Sequence, residues 1–180
     1  MDYQKFNNIH TAAHNGCETL SGGEIRQKRG DLVEHLIKDL WESMGENYVA
    51  KLQQKHIIEF PELNTNLKIG CDVDLYKNNE LVCIVECKAY IDKCFLERAI
   101  VDFRYLRQVT PVPTVVVGLE NAIAENTKRI LEYVHKDVLT KIFFLVAGNR
   151  SSSKPLYNPE FFRPISEEYY EGLVNFLKSL

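Results

Sequence analysis

Several signatures of other protein classes are missing from the 180-residue sequence. No apolar run approaches the roughly 18 residues that a membrane-spanning helix needs, and the polar N-terminus, MDYQKFNNIHTAAHNG, lacks the apolar segment of a signal peptide. The five cysteines include no CxxC pair, which argues against a zinc knuckle and favours reduced, buried thiols. We therefore expect a cytoplasmic protein that does not associate with membranes.

An excess of positive charge is also missing. The formal net charge of −3 excludes a uniformly basic, DNA-coating protein, but not one that concentrates basic groups on a single face. The sequence contains no P-loop, nucleophile elbow, dinucleotide fingerprint or internal repeat. Its length suits one domain, 1–180, with a single hydrophobic core.

The most informative stretch reads IGCDVDLYKNNELVCIVECKAY. It predicts two β-strands joined by a tight turn, because asparagine tolerates the left-handed backbone conformation that such turns require. Side chains alternate along a strand, so Asp72 and Asp74 share one face of the first strand. On the second strand, Glu86 and Lys88 share a face in the same way.

A strand that is apolar on both faces and ends in charged residues needs an explanation. Burying a charge is costly unless the charge is paired or bound to a metal. An ion pair is one explanation. A divalent-cation site is another, because carboxylates from adjacent strands can share Mg²⁺ while a nearby ammonium stabilises charge on a water or phosphate. The residues alone leave both explanations open.

The D…ExK pattern of this hairpin resembles the PD-(D/E)xK nuclease superfamily, which includes type II restriction endonucleases, Holliday-junction resolvases and type I restriction nuclease domains. The segment DVDLYKNNELVCIVECK is especially similar to the strand-turn-strand of the type I domains. The resemblance implies that Asp72 and Glu86 bind Mg²⁺, with Mn²⁺ as a substitute, and that the Cys87 backbone carbonyl is an extra ligand. It also implies that Lys88 positions or activates the attacking water.

Two details of this match concern the first strand. Asp74 replaces Asp72 as the metal ligand if the alignment with the superfamily is shifted along the strand. Cys71 stands where the superfamily pattern has a proline, at a position where the superfamily tolerates variation.

A glutamate upstream of the hairpin extends the resemblance. The spacing of apolar residues predicts an amphipathic helix over Gly30–Met44. Its segment KRGDLVEHLI resembles the RG…E pattern of the superfamily helix before the catalytic hairpin, which would make Glu34 an auxiliary ligand of the metal or of a water in the catalytic site. The alternative is an exposed Glu34 that faces Lys38 one turn later.

The rest of the chain predicts an α/β fold with a mixed central sheet flanked by helices, as in the restriction-endonuclease-like core. The predicted elements are a candidate strand at His56–Phe60, a helix at Lys93–Gln108, a strand at Thr114–Leu119, a helix at Asn121–His135, a strand at Lys141–Ala147 and a last helix from Ser166. The strand-helix-strand order implies parallel pairing. The helix at Asn121–His135 is expected to bury Ile130 and Val134.

Basic residues outside the hairpin are candidates for DNA contact, because lysine and arginine bind phosphates and base edges. They are Arg26, Lys28 and Arg29 within residues 1–29, which could form an arm, and Arg150, Lys154 and Arg163 within the long irregular loop 148–164. Solvated surface charge is the alternative explanation for all six.

These features lead us to expect a Mg²⁺-dependent, sequence-specific endonuclease that cuts double-stranded DNA, as type II restriction enzymes do. Cutting both strands of a palindromic site requires two active sites, so we expect a homodimer. One alternative is a Holliday-junction resolvase or another structure- or modification-specific nuclease. Others are a non-catalytic DNA-binding module with the nuclease fold and an α/β protein whose hairpin ends in an ion pair.

Overall fold

The computed structural model describes residues 2–16, 20–150 and 162–180. The elements within these ranges are α1 (Tyr3–Asn15), α2 (Gly22–Glu42), β1 (Tyr48–Phe60), a 3-10 turn (Pro61–Leu63), β2 (Thr65–Lys77), β3 (Glu80–Ile91), α3 (Lys93–Val109), β4 (Thr114–Asn121), α4 (Glu125–Val134), β5 (Lys141–Phe144) and α5 (Glu167–Lys178). None of these helices is long and apolar enough to cross a membrane.

The five strands form one sheet in the order β1-β2-β3-β4-β5. β1, β2 and β3 are joined by antiparallel pairing, whereas β3, β4 and β5 are parallel. The parallel pairs are connected through α3 and α4, as the strand-helix-strand order predicted. The α/β fold with a mixed sheet flanked by helices is therefore confirmed.

The sheet separates two hydrophobic clusters, one against each layer of helices. The α2-side cluster contains Phe6, Val33, Trp41, Val73, Val85, Val117 and Leu173. The α3-side cluster contains Ile58, Cys71, Ile84, Leu96, Phe103, Val116 and Leu131. Because β3 and β4 are buried on both faces, they appear in the sequence as continuous apolar runs.

The N-terminal residues belong to the folded body. α2 begins at Gly22 rather than at Gly30, because Ser21 and Glu24 form a reciprocal capping box that satisfies the first free N–H groups. α1 precedes this cap, and Phe6 on α1 is buried in the α2-side cluster. Residues 2–16 therefore pack on the core instead of extending from it.

The hairpin of β1 and β2 is much longer than the candidate strand His56–Phe60. Its two strands are paired from Tyr48 with Lys77 to Phe60 with Thr65. Exposed residues alternate with partly buried ones along most of β1, so its composition is largely polar and its strand character is hard to read from the sequence. The turn between β2 and β3 is confirmed, since Asn78 and Asn79 both have positive φ.

The C-terminal half matches the prediction except around α4. α3 is capped by Asp92, whose carboxylate accepts a hydrogen bond from the Phe95 N–H. The prediction that Ile130 and Val134 are buried is wrong, because they are 60% and 56% exposed. Leu131 is the residue of α4 that is buried in the α3-side cluster.

Close packing between β3 and β4 makes Gly118 intolerant of a side chain. A Cβ at Gly118 would lie 2.6 Å from Cγ1 and 2.8 Å from Cδ1 of the fully buried Ile91. Gly118→Ala is therefore expected to lower the free energy of unfolding by about 1–3 kcal/mol in urea denaturation. Gly172→Ala is the control, because a Cβ there meets no neighbour within 4 Å and alanine favours helix α5. Equal losses in both variants would refute this explanation.

Candidate active site

The central sheet opens at the position where the sequence places its acidic residues. The pairing of β2 with β3 runs from the turn to Val73 and Val85. Beyond this point β2 continues beside β1, and β3 continues beside β4. The two strands therefore separate at Asp72 and Glu86, and the gap leaves room for side chains between them.

Asp72 connects the two separating strands. Its Oδ2 accepts hydrogen bonds from the Cys87 backbone N–H at 2.8 Å and from the Lys88 Nζ at 3.1 Å. The carboxylate thus occupies the place of a backbone partner for Cys87 where the ladder has ended. The structure brings Asp72, Glu86 and Lys88 into one group, as the hairpin pattern predicted they would be placed.

Glu86 and Asp72 are chemically unequal carboxylates. Burial, together with the hydrogen bond to Asp72 and its charge, raises the pKa of Glu86. Burial also acts to raise the pKa of Asp72, but the hydrogen bond from Glu86, the Lys88 charge and the Cys87 N–H together lower it. At neutral pH Asp72 is therefore ionised while Glu86 tends to keep its proton.

Lys88 provides the positive charge of the group. Burial lowers the pKa of Lys88, but the charges of Glu86 and Asp72 outweigh this effect and leave the pKa raised. Its Nζ also lies 5.2 Å from the centre of the Phe95 ring on α3, within the range of a cation–π contact. Lys88 is therefore a positioned cation at neutral pH.

Glu34 on α2 is linked to Asp72 through Gln53 on β1. The Gln53 Nε2 donates to Oε2 of Glu34 at 2.7 Å and lies 3.5 Å from Oδ1 of Asp72. Glu34 is buried, and burial raises its pKa. The alternative of an exposed Glu34 facing Lys38 does not hold, because Lys38 pairs with Glu42 instead.

Gln53 is a residue of this group that the sequence did not reveal. It lies in a polar stretch and has no motif partner, and its positive φ of 53° becomes visible only in the folded backbone. A non-glycine residue with positive φ within a strand is strained, and such strain often accompanies a functional role. Gln53 has to adopt this conformation where β1 passes opposite Asp72.

The backbone at Gln53 leads to a stability prediction. Gln53→Gly is expected to be more stable than Gln53→Ala by about 1 kcal/mol in urea denaturation, because glycine adopts positive φ without strain. The neighbouring Gln54 lies in β1 without a positive φ, so there the alanine variant is expected to be the more stable of the two. If the alanine variant were the more stable one at both positions, the strain at Gln53 would be absent.

A cleft of about 370 Å³ lies beside the catalytic lysine candidate and includes one predicted DNA-binding residue. Arg26 on α2 and Arg98 on α3 lie on its walls together with Lys88, and Tyr90 and Phe95 add aromatic surface. Three cations around one cleft give it a positive potential that suits phosphate groups.

Two of the predicted DNA-contact residues, Arg29 and Arg150, are bound to a buried carboxylate instead of being free on the surface. Both bind the same buried carboxylate: Arg29 Nη2 lies 3.1 Å from Oε1 of Glu120, and Arg150 Nε lies 3.2 Å from Oε2. Arg150 also stacks over the Tyr90 ring at 4.7 Å. DNA contact by either guanidinium would therefore have to compete with Glu120.

The remaining basic candidates bind backbone carbonyls or lie outside the described residues. Lys28 donates to the Gly16 carbonyl at 3.3 Å, and Arg163 donates to the Ala147 carbonyl at 2.6 Å. Lys154 and most of the predicted loop 148–164 fall outside the described ranges. Among the basic candidates that the structure describes, Arg26 is the one that lines the cleft with Lys88.

Asp74 lies in a group with His56 and Cys71. Strict alternation fails near this point of β2: Cys71 packs in the α3-side cluster, whereas Val73, two residues later, packs in the α2-side cluster. The irregularity puts Cys71 and Asp74 close together although they are an odd number of residues apart. It was not predictable from the sequence.

The architecture is that of an α/β protein with a five-stranded mixed sheet flanked by helices, consistent with a restriction-endonuclease-like fold. No protein-family model matches the chain. The chain is similar to the type II restriction enzyme DdeI of Desulfomicrobium norvegicum (strain DSM 1741 / NCIMB 8310), with 25% identity over 87% of this chain and 82% of that enzyme. This weak homology supports a relationship to the restriction endonucleases.

Proposed function

We propose that the protein is a Mg²⁺-dependent, sequence-specific endonuclease of the PD-(D/E)xK superfamily that hydrolyses phosphodiester bonds in duplex DNA. The observation that carries the proposal is the convergence of Asp72, Glu86 and Lys88 where β2 and β3 separate. The similarity to a type II restriction enzyme over 87% of this chain supports the restriction-endonuclease part of the proposal.

The chemistry of the carboxylate pair fits a divalent cation. Oε2 of Glu86 is buried and has no hydrogen-bond partner among the residues that the structure describes. Asp72 and Glu86 would repel each other if both were ionised, and this repulsion contributes to the raised pKa of Glu86. Mg²⁺ prefers carboxylate oxygens and would relieve this repulsion, and Mn²⁺ would substitute for it. The backbone carbonyl of Cys87 is proposed as a further ligand.

Each residue of the site then has a separate role in hydrolysis. Bound Mg²⁺ supplies positive charge that polarises the phosphate and acidifies water. Lys88, held as a cation by its acidic neighbours, stabilises the charge that develops on the phosphate and orients the attacking water. The water oxygen attacks phosphorus in line with the leaving oxygen and forms one P–O bond as the other breaks. The proton that the water gives up to solvent balances the proton that the leaving oxygen takes up. Glu34, acting through Gln53, holds Asp72 in position.

Asp74 remains the alternative ligand to Asp72 in the proposal, although Asp72 has the contacts to Lys88 and Cys87. For the DNA, Arg26 in the cleft beside Lys88 is the first basic residue proposed to contact phosphate. A homodimer is proposed because one active site cuts one strand. Light scattering that found only monomers, both free and with DNA, would refute the dimer. The cytoplasmic location stays a prediction.

The function is tested by incubating the purified protein with unmethylated phage DNA in Mg²⁺, in Mn²⁺ and in EDTA. Discrete fragments in both metals and none in EDTA are the expected result. Cleavage of four-way junctions or modified DNA alone would favour a resolvase or a modification-specific nuclease. DNA binding without cleavage under any of these conditions would overturn the proposal in favour of a non-catalytic module.

A further inference from the structure

A second group of metal-binding side chains lies on the hairpin of β1 and β2, outside the Asp72–Glu86 pair. His56 comes from β1, and Cys71 and Asp74 come from β2. One ligand atom from each residue lies within 4.8 Å of the other two. Cys71 and Asp74 are 2% and 1% exposed, and the His56 side chain is 14% exposed. The group is therefore almost completely shielded from water.

The carboxylate of Asp74 has an unusual environment for a buried acid. Both of its oxygens are buried and, across the described ranges, form no hydrogen bond. Its Oδ2 forms an ion-pair contact with the buried Nε2 of His56 at 2.9 Å. Burial raises the pKa of Asp74, and this contact acts to lower it. Buried polar atoms normally have partners, but the ion pair accounts only for Oδ2 and leaves the buried Oδ1 of Asp74 without one among the described residues, while Cys71 lies close to both residues. Ligands of a common metal ion meet in this way.

We propose that His56, Cys71 and Asp74 bind one transition-metal ion, with Zn²⁺ as the preferred ion. An imidazole nitrogen, a thiolate sulfur and a carboxylate oxygen form a set that suits Zn²⁺, whereas Mg²⁺ prefers oxygen alone. Tetrahedral coordination at the usual bond lengths separates ligand atoms by roughly 3.4 Å, so small side-chain movements within the observed group are sufficient. Water completes the fourth position.

The location of this ion would connect two parts of the molecule. Cys71 and Asp74 stand on either side of Asp72 in the chain, and His56 joins them from the neighbouring strand. The ion would therefore fix β2 against β1 at the irregular segment that carries Asp72. Binding of the ion does not depend on the proposed nuclease activity, because His56 and Cys71 have no part in the proposed Mg²⁺ site and Asp74 enters it only as the alternative to Asp72.

The test uses Co²⁺ and Zn²⁺ with the full, metal-depleted chain. Co²⁺ bound to a thiolate gives a sulfur-to-metal charge-transfer absorption that a carboxylate site does not give. The measurement is made in the Glu86→Gln background to remove the proposed Mg²⁺ site. We expect one Co²⁺ per chain with the thiolate absorption, its displacement by Zn²⁺, and a higher unfolding temperature in Zn²⁺.

Single-residue variants distinguish metal binding at this site from metal binding by the other cysteines. Cys71→Ala is expected to abolish the thiolate absorption and weaken Zn²⁺ binding at least tenfold. Cys83→Ala removes an equally buried thiol from the α2-side cluster and is expected to retain both the thiolate absorption and the Zn²⁺ affinity. His56→Gln, which keeps the thiol, is expected to weaken Zn²⁺ binding as Cys71→Ala does.

A parent spectrum without the thiolate absorption would overturn the proposal, as would equal Zn²⁺ affinity in Cys71→Ala and Cys83→Ala. These outcomes do not involve cleavage. If the protein cuts DNA but shows no thiolate absorption, only the Zn²⁺ site is refuted. If it binds Zn²⁺ but never cuts DNA, only the proposed nuclease function is refuted.

Discussion

Glu86→Gln and Lys88→Met are each expected to lower the rate of DNA cleavage at saturating Mg²⁺ by about 10³-fold. Glu86→Gln keeps the shape of the side chain but removes the charge proposed to bind the metal. Lys88→Met keeps most of the aliphatic chain over Phe95 but removes the cation that contacts Asp72. The rates are measured as single-turnover cleavage of a plasmid, so that product release does not hide the chemical step.

Two residues at the other end of the same hairpin provide matched controls. Glu80→Gln and Lys77→Met make the same chemical changes next to the turn, where Glu80 pairs with Lys77 across β2 and β3. Both controls are expected to cut at the parent rate. Circular dichroism establishes that every variant is folded. Folded Glu86→Gln and Lys88→Met proteins that cut as fast as the controls would remove these residues from the proposed mechanism.

The parts of the fold that local chemistry determines were predictable from the sequence. Consecutive asparagines specify the turn at Asn78 and Asn79, because few residues accept positive φ. The apolar runs of β3 and β4 follow from burial on both faces. Asp92 marks the start of α3, since its side chain can cap the first turn. Each of these features depends on residues that are close together in the chain.

The features that were not predictable depend on contacts between distant segments. Gln53 joins the candidate active site only because β1 pairs with β2 at the irregular position of Asp72. Arg29 was predicted to contact DNA or to carry solvated surface charge, but Glu120, far away in the sequence, binds it in the interior. The group around Asp74 requires a change of face along β2 that no periodicity records. Pairing register and strand irregularity were the missing information.

The arrangement of charges in the candidate active site favours metal binding over the stability of the metal-free fold. Asp72 and Glu86 are held close together beside a single lysine, so one carboxylate has to remain protonated or find a second cation. Functional sites often keep such unfavourable charge combinations. A plain ion pair would need only one carboxylate for Lys88, so the second carboxylate supports the proposed metal site.

Metal-free Glu86→Gln protein is expected to be more stable than the parent at pH 8, by about 1–2 kcal/mol in urea denaturation. Burial and Asp72 raise the pKa of Glu86 in the folded protein above its ordinary value of 4.5. The parent therefore loses stability as the pH rises from about this value towards the raised pKa, because the folded state resists ionisation of Glu86. Near pH 4 the side chain is protonated in both folded and unfolded states, and the advantage of the variant should disappear.

Saturating Mg²⁺ is expected to reverse the order at pH 8. An ion present at about 100 times its dissociation constant stabilises the folded parent by about 2.7 kcal/mol, whereas the variant has lost one of the two carboxylates and gains little. Glu80→Gln, at the exposed end of the hairpin, should follow the parent at every pH and in Mg²⁺. If Glu86→Gln is less stable than the parent in EDTA at pH 8, Glu86 contributes a favourable structural contact, and the charge repulsion inferred at this site is wrong.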